Sequence, residues 1–453
     1  MKKLMALFVS IAALNSSAVA YDVVFQGVSH QPVYVEPEKN TGLDAIYVVY
    51  DISSVSSMDI SGFSSSTPTA SRYSNLGGGY AEPVQPSFSG GTMSIASPAG
   101  DMGYIITDGD RNFCLWVVNY ADHKLNIQTI QPSSEQDCES TILDVTGEAS
   151  PIHYFSINGQ QRTLSRDLRL SYYNLEWNAD QKNYENNHVD KVIESVTDRI
   201  MIMPPVYCST EFTLSGDRFL EKWGLSESIQ SSTFAPHSVA VMTEAVQAGT
   251  GTDDENAENA SNQINTETEG LGGSAPADIT FYGYCTDAVL HTEWQMSSDP
   301  DFENIIYRFN EQDLSYTFNE EGQFYLRFIG SNADGSCEAY GDVYTVSIGA
   351  SDIRIPNAFS PDGDGTNDEW KVAYRSLISF KCWIFDRHGQ QLFYFDRPEL
   401  GWDGKYKGKL VNPGAYYYVI EAQGADGKKY KKSGDINILT GKKYGESTST
   451  PVE

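Results

Sequence analysis

With 61 Asp and Glu against 31 Lys and Arg, this chain of 453 residues carries a formal net charge of −30. That balance argues against nucleic acid as a partner, because a phosphate-contacting face needs clustered cations. The length is too great for one small sandwich and, at about 100–200 residues per domain, sets an expectation of about three to five units; aromatic residues at 12%, with almost no helical periodicity, point to an all-β chain with several aromatic cores.

At the N-terminus, Lys2 and Lys3 precede an apolar run from Leu4 to Leu14, and Ala18-Val19-Ala20 forms a small-x-small site. This is the pattern of a signal peptide over 1–20, with cleavage between Ala20 and Tyr21. No Cys follows the site, so no lipoprotein anchor is expected, and no later stretch approaches the ~20 apolar residues of a membrane helix. An N-terminal β-rich module is expected over 21–130, where Ala45–Tyr50 and Phe113–Val118 read as strands around a Ser/Gly-rich middle. A second module, 131–197, contains Ile152–Ile157 with an Asn158-Gly159 turn and Leu168–Tyr173; Asp190–Ile200 is its best helical candidate. A third, 198–248, stands alone or combines with a neighbour. Residues 249–277, with Asp253-Asp254-Glu255 and Gly270–Ser274, have the composition of an acidic linker or long loop.

The module 278–349 is marked by Phe281, Trp294, Ile305, Tyr316, Phe324 and Val343 on successive strands, and its hydrophobic pattern closes at Ile348 before a new one opens at Ile353. Its Glu293-Trp294-Gln295 and Ser298–Phe302 resemble PKD and fibronectin-type modules. Six cysteines in an exported chain invite pairing. Cys114 with Cys138 is one expected pair. Cys285 with Cys337 is the other, since the order Cys285–Trp294–Cys337 is similar to the disulfide packed on a Trp in immunoglobulin-like domains. Cys208 and Cys382 remain, the latter as a buried thiol.

The last module, 351–440, is followed by a polar tail over 441–453. Phe380, Cys382 and Ile384 alternate with Lys381, Trp383 and Phe385, then Asp386–Gln390 turns into Gln391–Phe395; Tyr416–Ala422 and Tyr430–Leu439 form a second pair about Gly424–Gly427. A small antiparallel sandwich follows. Within it stand Pro356, Asn357, Phe359, Ser360, Pro361, Asp362, Asp364, Asn367 and Asp368, then Gly401, Trp402, Asp403 and Gly404, then Pro413, Gly414 and Tyr416. This ordered set closely resembles the gliding motility-associated C-terminal domain, a type B sorting domain of Bacteroidetes proteins exported by the type IX secretion system. The resemblance implies that those residues form a sorting and attachment motif. It also implies a PorP/SprF-type outer-membrane barrel as partner, together with type IX secretion components, and a mature protein at the cell surface or the periplasmic face of the outer membrane. The whole chain is thus expected to be tandem immunoglobulin/PKD-like β-sandwich modules ending in a small β-sandwich sorting domain.

Asp362, Asp364, Asn367 and Asp368 form a carboxylate-rich cluster, but Ala373 stands where an EF-hand needs its bidentate Glu, so a turn is the reading adopted and no metal or other cofactor is expected. The seven His residues are scattered and neither a zinc-protease helix nor a Gly-x-Ser-x-Gly elbow occurs. Residues 351–441 carry 13 Lys and Arg against 12 Asp and Glu, a net of +1, so the rest of the chain sums to −31. Lys405, Lys407 and Lys409, and Lys428, Lys429, Lys431 and Lys432, form basic runs that either guard an edge strand or meet an acidic partner. The expected function is a non-enzymatic structural or binding protein held at the outer membrane through its C-terminal domain, linking the barrel to secretion or gliding machinery. A surface adhesin is the alternative, and a secreted hydrolase with the same signal is a third reading.

Overall fold

The structure, a computed structural model, describes residues 21–148, 151–194, 198–248, 262–264 and 270–439. The expected signal peptide through Ala20 and the polar tail lie outside the described residues. The chain divides into two compact units, Met1–Asn174 with Asn186–Ala235 and Leu175–Glu185 with Pro236–Glu453. Almost all of the described residues that take regular structure are in strands, as the composition requires.

The first unit begins with a sandwich. A four-stranded sheet, in the order Asp22–Gln26, Ser57–Ser61, Thr92–Ala96, Ser87–Ser89, faces a six-stranded one, in the order Val33–Val35, Ala45–Val49, Arg111–Asn119, Met102–Asp108, Thr69–Tyr73, Glu82–Val84. Tyr21 stacks on Phe113 with ring centroids 4.8 Å apart. The strand Arg111–Asn119 shows why its sequence does not alternate. Phe113, Leu115 and Val117 enter the core with Met58, Ile60 and Ile95. Trp116 and Val118 point the other way, into a cluster with Tyr154, Leu164 and Phe219. A strand covered on both faces is apolar throughout. The cover comes from the hairpin Ile152–Phe155/Gln161–Leu164 and the helix Arg218–Lys222. Asp217 caps that helix by accepting from Phe219 N and Leu220 N, both at 3.2 Å, and also receives Arg166 Nε at 2.9 Å and the Tyr120 hydroxyl at 3.2 Å.

A second sandwich pairs Asn126–Pro132, Thr141–Glu148 and Arg199–Ile202 in one sheet, and Asn183–Ile193, Leu168–Asn178, Thr213–Gly216 and Glu227–Gln230 in the other. Leu143 opposite Ile200 and Leu170 opposite Leu214 run across the boundary expected at 197/198, so those two segments share one core. The helix expected over 190–200 does not form: 183–193 and 199–202 are strands. Val189 and Ile193, four apart, fit one face of either a helix or a strand, and contact with the core selects the strand.

In the second unit, Val241–Gln247, Ala277–Cys285 and Leu314–Phe318 form one sheet. Leu271–Gly273, Tyr344–Ile348, Gly322–Ser331, His291–Ser297 and Ile305–Phe309 form its partner, with Glu338–Tyr340 on Gly322–Ser331. Trp294 is fully buried at their centre, donating Nε1–H to Gln312 O at 2.9 Å and meeting Phe328 at 5.0 Å and Phe281 at 5.4 Å. Two expectations change here. Residues 241–247 belong to this sandwich, and the expected linker contributes the strand 271–273, parallel to 346–348.

The cysteine pairing also differs. Cys114, Cys208, Cys285 and Cys382 are outside any disulfide, and the disulfide-bonded cysteines are Cys138 and Cys337, one from each expected pair. Neither expected bridge forms. Cys285 ends its strand opposite Val241, while Cys337 lies in a turn where it accepts from Asn332 N and donates its own N–H to Asn332 Oδ1, so the two are not facing positions of opposed sheets. Cys114 is central in a buried strand, its N–H held by Asp44, while Cys138 lies on an exposed loop.

The C-terminal sandwich has a five-stranded sheet in the order Ala358–Phe359, Lys429–Ile438, Gly414–Gly424, Leu377–Phe385, Gln391–Phe395. Phe380, Cys382 and Ile384 face inward against Ile420, Ile436, Trp370 and Trp402. Burial pushes the Cys382 thiol up to about 12. The turns expected at 386–390 and 424–427 close both hairpins.

Candidate attachment site

The motif residues are organised around two tryptophans. Trp370 and Trp402 exchange backbone hydrogen bonds at 2.9 and 3.0 Å and are both fully buried. Trp370 donates Nε1–H to Pro356 O at 2.8 Å; Trp402 donates Nε1–H to Lys405 O at 3.0 Å. Around Trp402 stand Phe359 at 5.6 Å and Tyr416 at 5.4 Å between ring centroids. Asn357 O accepts from Asn437 N at 2.8 Å, which docks Ala358–Phe359 in parallel on the last strand. The Tyr416 hydroxyl donates to Asn412 O at 2.7 Å across the Pro413-Gly414 bend. Asp403 accepts from Lys405 N at 3.0 Å and pairs with Lys405 Nζ at 2.8 Å.

Gly404 has φ +72, which favours glycine, and a Cβ there would crowd Pro361 Cγ at 3.1 Å and Phe359 Cζ at 3.3 Å. At Gly401 a Cβ would meet Lys371 Cγ at 2.5 Å. The spacing of the motif is therefore the spacing needed to seal one end of a core.

The acidic loop holds itself. Ser360 N donates to Asn367 O at 3.0 Å, Thr366 N to Asp364 at 2.8 Å, and Asp364 N to Asp362 at 3.3 Å. Gly363 N and Gly365 N donate to the two oxygens of Asp368 at 2.6 and 2.8 Å and hold its carboxyl below the usual range. Asp362, Asp364 and Asp368 bring one oxygen each within 4.8 Å of one another. Both Asp368 oxygens are already engaged by amides, which is what a turn asks of them. Beside the loop lies a cleft of about 730 Å³ bordered by Arg354, Pro356, Phe359, Asp368 and Lys371.

Sequence reasoning placed a boundary at 348/353 and missed what crosses it. Asn262 donates through Nδ2 to both Val372 O and Pro398 O, at 2.7 Å each, while residues 262–264 pair in parallel with Tyr374. Ser376 N donates to Ser274 Oγ at 2.7 Å, and Ala425 packs on the Trp294 core. The C-terminal sandwich therefore has its own core but shares a seam with the sandwich before it. No periodic signal marks such a contact, since among the described residues of that stretch it rests on Asn262, Gln263 and Ile264, through polar side chains and backbone alone.

The model of the CHU_C Type IX secretion signal domain matches residues 353–438. Residues 353–438 form a type IX secretion signal domain. The secretion signal domain covers roughly a fifth of the chain, and the sandwich 126–230 matches a second model, a fibronectin type III domain, over residues 130–231. The chain is accordingly an exported, multi-domain β protein with cell-surface association. No curated protein sequence matches it significantly. Among solved structures it is similar to three N-terminal domains of the bacteriophage RB49 Highly Immunogenic Outer Capsid protein, at 11% identity and TM-score 0.23 over 70% of this chain and 99% of that one. It is also similar to fibronectin(III)-like modules of Clostridium thermocellum CbhA, at 11% identity and TM-score 0.17 over 39% of this chain and 93% of that one.

Proposed function

We propose that this chain is a non-enzymatic accessory protein, exported by the type IX pathway and retained at the outer membrane by its secretion signal domain through a PorP/SprF-type barrel. The upstream sandwiches then act as a spacer or platform that links the barrel to secretion or gliding machinery. The observation that carries this reading is the secretion signal domain at 353–438, folded around Trp370 and Trp402.

The non-enzymatic part is supported by how carboxylates are used. Asp51, Asp59, Asp299, Asp334, Asp368 and Asp386 are all held below the ordinary carboxylate range by donors in their own turns or neighbouring strands, foremost the Ser53, Ser94 and Ser336 hydroxyls and the backbone amides of Glu303, Gly363 and Gln390. A general acid needs the opposite displacement. These aspartates stiffen turns and, at Asp59, a pair of strands.

Fractionation of cells that produce the full chain, or a chain lacking 352–453, tests the proposal. The full chain is expected in outer-membrane complexes that contain the barrel; the shortened chain is expected in the periplasm or free of those complexes. Undiminished association of the shortened chain with the barrel refutes attachment through this domain. Reproducible hydrolase turnover by the purified full chain, abolished by changing one polar residue, refutes the non-enzymatic part.

A further inference from the structure

Two neighbouring strands of the secretion signal domain, Leu377–Phe385 and Gly414–Gly424, carry an apolar stretch on the outer face as well as the inner one. Inward, Phe380, Cys382, Ile384 and Ile420 fill the core. Outward, the register sets Tyr394, Trp383 and Val419 in one row across three strands and Phe385 beside Tyr417 in the next. Tyr394, Tyr417 and Val419 are 40%, 47% and 38% exposed, and Trp383 meets Tyr394 with ring centroids 5.6 Å apart. An antiparallel sheet with one wet face ordinarily alternates apolar and polar residues; strands apolar on both sides are those that are covered on both sides. The same chain shows this at Arg111–Asn119, whose second apolar face is covered by Tyr154, Leu164 and Phe219. Here no such cover exists among the described residues.

We propose that this outer face is the surface by which the secretion signal domain docks on its envelope partner, a protein that presents an apolar centre ringed by carboxylates. The proposal rests on the attachment reading above and adds which face attaches. Trp and Tyr are the residue types that dominate binding energy at the centres of interfaces. The charge comes from the positions around the aromatic rows: Asp435 lies beside Tyr417, while on the other side Lys381, Glu421 and Lys431 lie side by side, then Gln423 and Lys429. Glu421 is taken by Lys431 at 3.3 Å, which leaves Lys381 and Lys429 without an ion pair among the described residues. An acidic rim satisfies them. A saccharide chain stacks best on coplanar rings, and the Trp383 and Tyr394 planes are inclined by 44°.

The test uses the full chain and outer-membrane vesicles from cells that lack it, with binding read by co-sedimentation. One variant carries Trp383→Ser and Tyr417→Ser; a second, confined to exposed side chains, carries Lys381→Glu and Lys429→Glu; Tyr34→Ser, exposed on the N-terminal sandwich, is the control. The first two are expected to weaken vesicle binding by about tenfold or more. The lysine effect is expected to shrink as salt rises, and the control to bind as the unaltered chain does. If both variants, folded by thermal unfolding, bind normally while removal of 352–453 abolishes binding, the face is wrong and attachment stands. If removal of 352–453 leaves binding intact, the attachment reading itself fails. Loss of self-association or of polysaccharide binding by either variant, with vesicle binding unchanged, assigns the face to another occupant and overturns the proposal.

Discussion

Trp402→Ala should open the secretion signal domain without unfolding the sandwiches before it. The indole is fully buried, contacts Phe359 and Tyr416, and donates to Lys405 O. Truncating a buried Trp costs about 3–5 kcal/mol, and loss of the donor to Lys405 O keeps the figure in the upper part of that range. Trp402→Phe retains a ring and loses the hydrogen bond, so about 1–2 kcal/mol is expected. A chain of several domains does not unfold in one step, which makes a local probe necessary. Hydrogen exchange of the amides in Gly414–Gly424 reports opening of this sheet. At about 1.4 kcal/mol per factor of ten, Trp402→Ala should speed that exchange by about a thousandfold and leave the amides of Arg111–Asn119 unchanged. A loss under about 1 kcal/mol, or equal damage from the Phe and Ala variants, refutes the reasoning.

Asp217→Ala leaves Arg166 buried at 1% exposure without its carboxylate and uncaps the helix Arg218–Lys222, so a loss of about 3–5 kcal/mol is expected in denaturant unfolding of the first unit; a loss within 1 kcal/mol of zero contradicts it. Alkylation of the denatured but unreduced protein should modify Cys114, Cys208, Cys285 and Cys382, and modify Cys138 and Cys337 only after reduction; mass mapping that finds Cys138 and Cys337 labelled beforehand contradicts the pairing state described. The Asp108 carboxyl is held at about 2, foremost by the Ser64 amide, with the Ser65 amide and the Ser64 and Tyr21 hydroxyls also donating. Since this folded value lies below the unfolded one of about 3.9, its contribution is present above pH ~4 and is lost as pH falls towards 2. Acid titration of the N-terminal sandwich, followed by Trp116 fluorescence, should show that loss in the unaltered chain and a flatter profile in Asp108→Asn.

The C-terminal domain was legible because its signals are local. Alternation through Phe380, Cys382 and Ile384 names the inward face, Gly389 and Gly427 supply the positive φ that hairpin turns need, and the motif about Trp402 is dense enough to be specific. The apolar outer phase, Trp383 and Phe385, stood in the same pattern and was read only as the strand's other side. The upstream boundaries were not legible, because Thr141–Glu148 pairs with a strand some sixty positions later and nothing short-range announces it. Val189 and Ile193 satisfied two periodicities at once.

By itself the sequence determined the all-β class, the export logic and the address carried at 353–438, since these depend on composition, period-two patterning and a contiguous motif. Only the tertiary structure decided which cysteines are bonded, which strands share a core, and that Asn262 docks on the C-terminal sandwich. Those outcomes depend on which distant segments come within a few ångströms of each other, and a disulfide or a buried hydrogen bond is set by that proximity rather than by the residues adjacent in the chain.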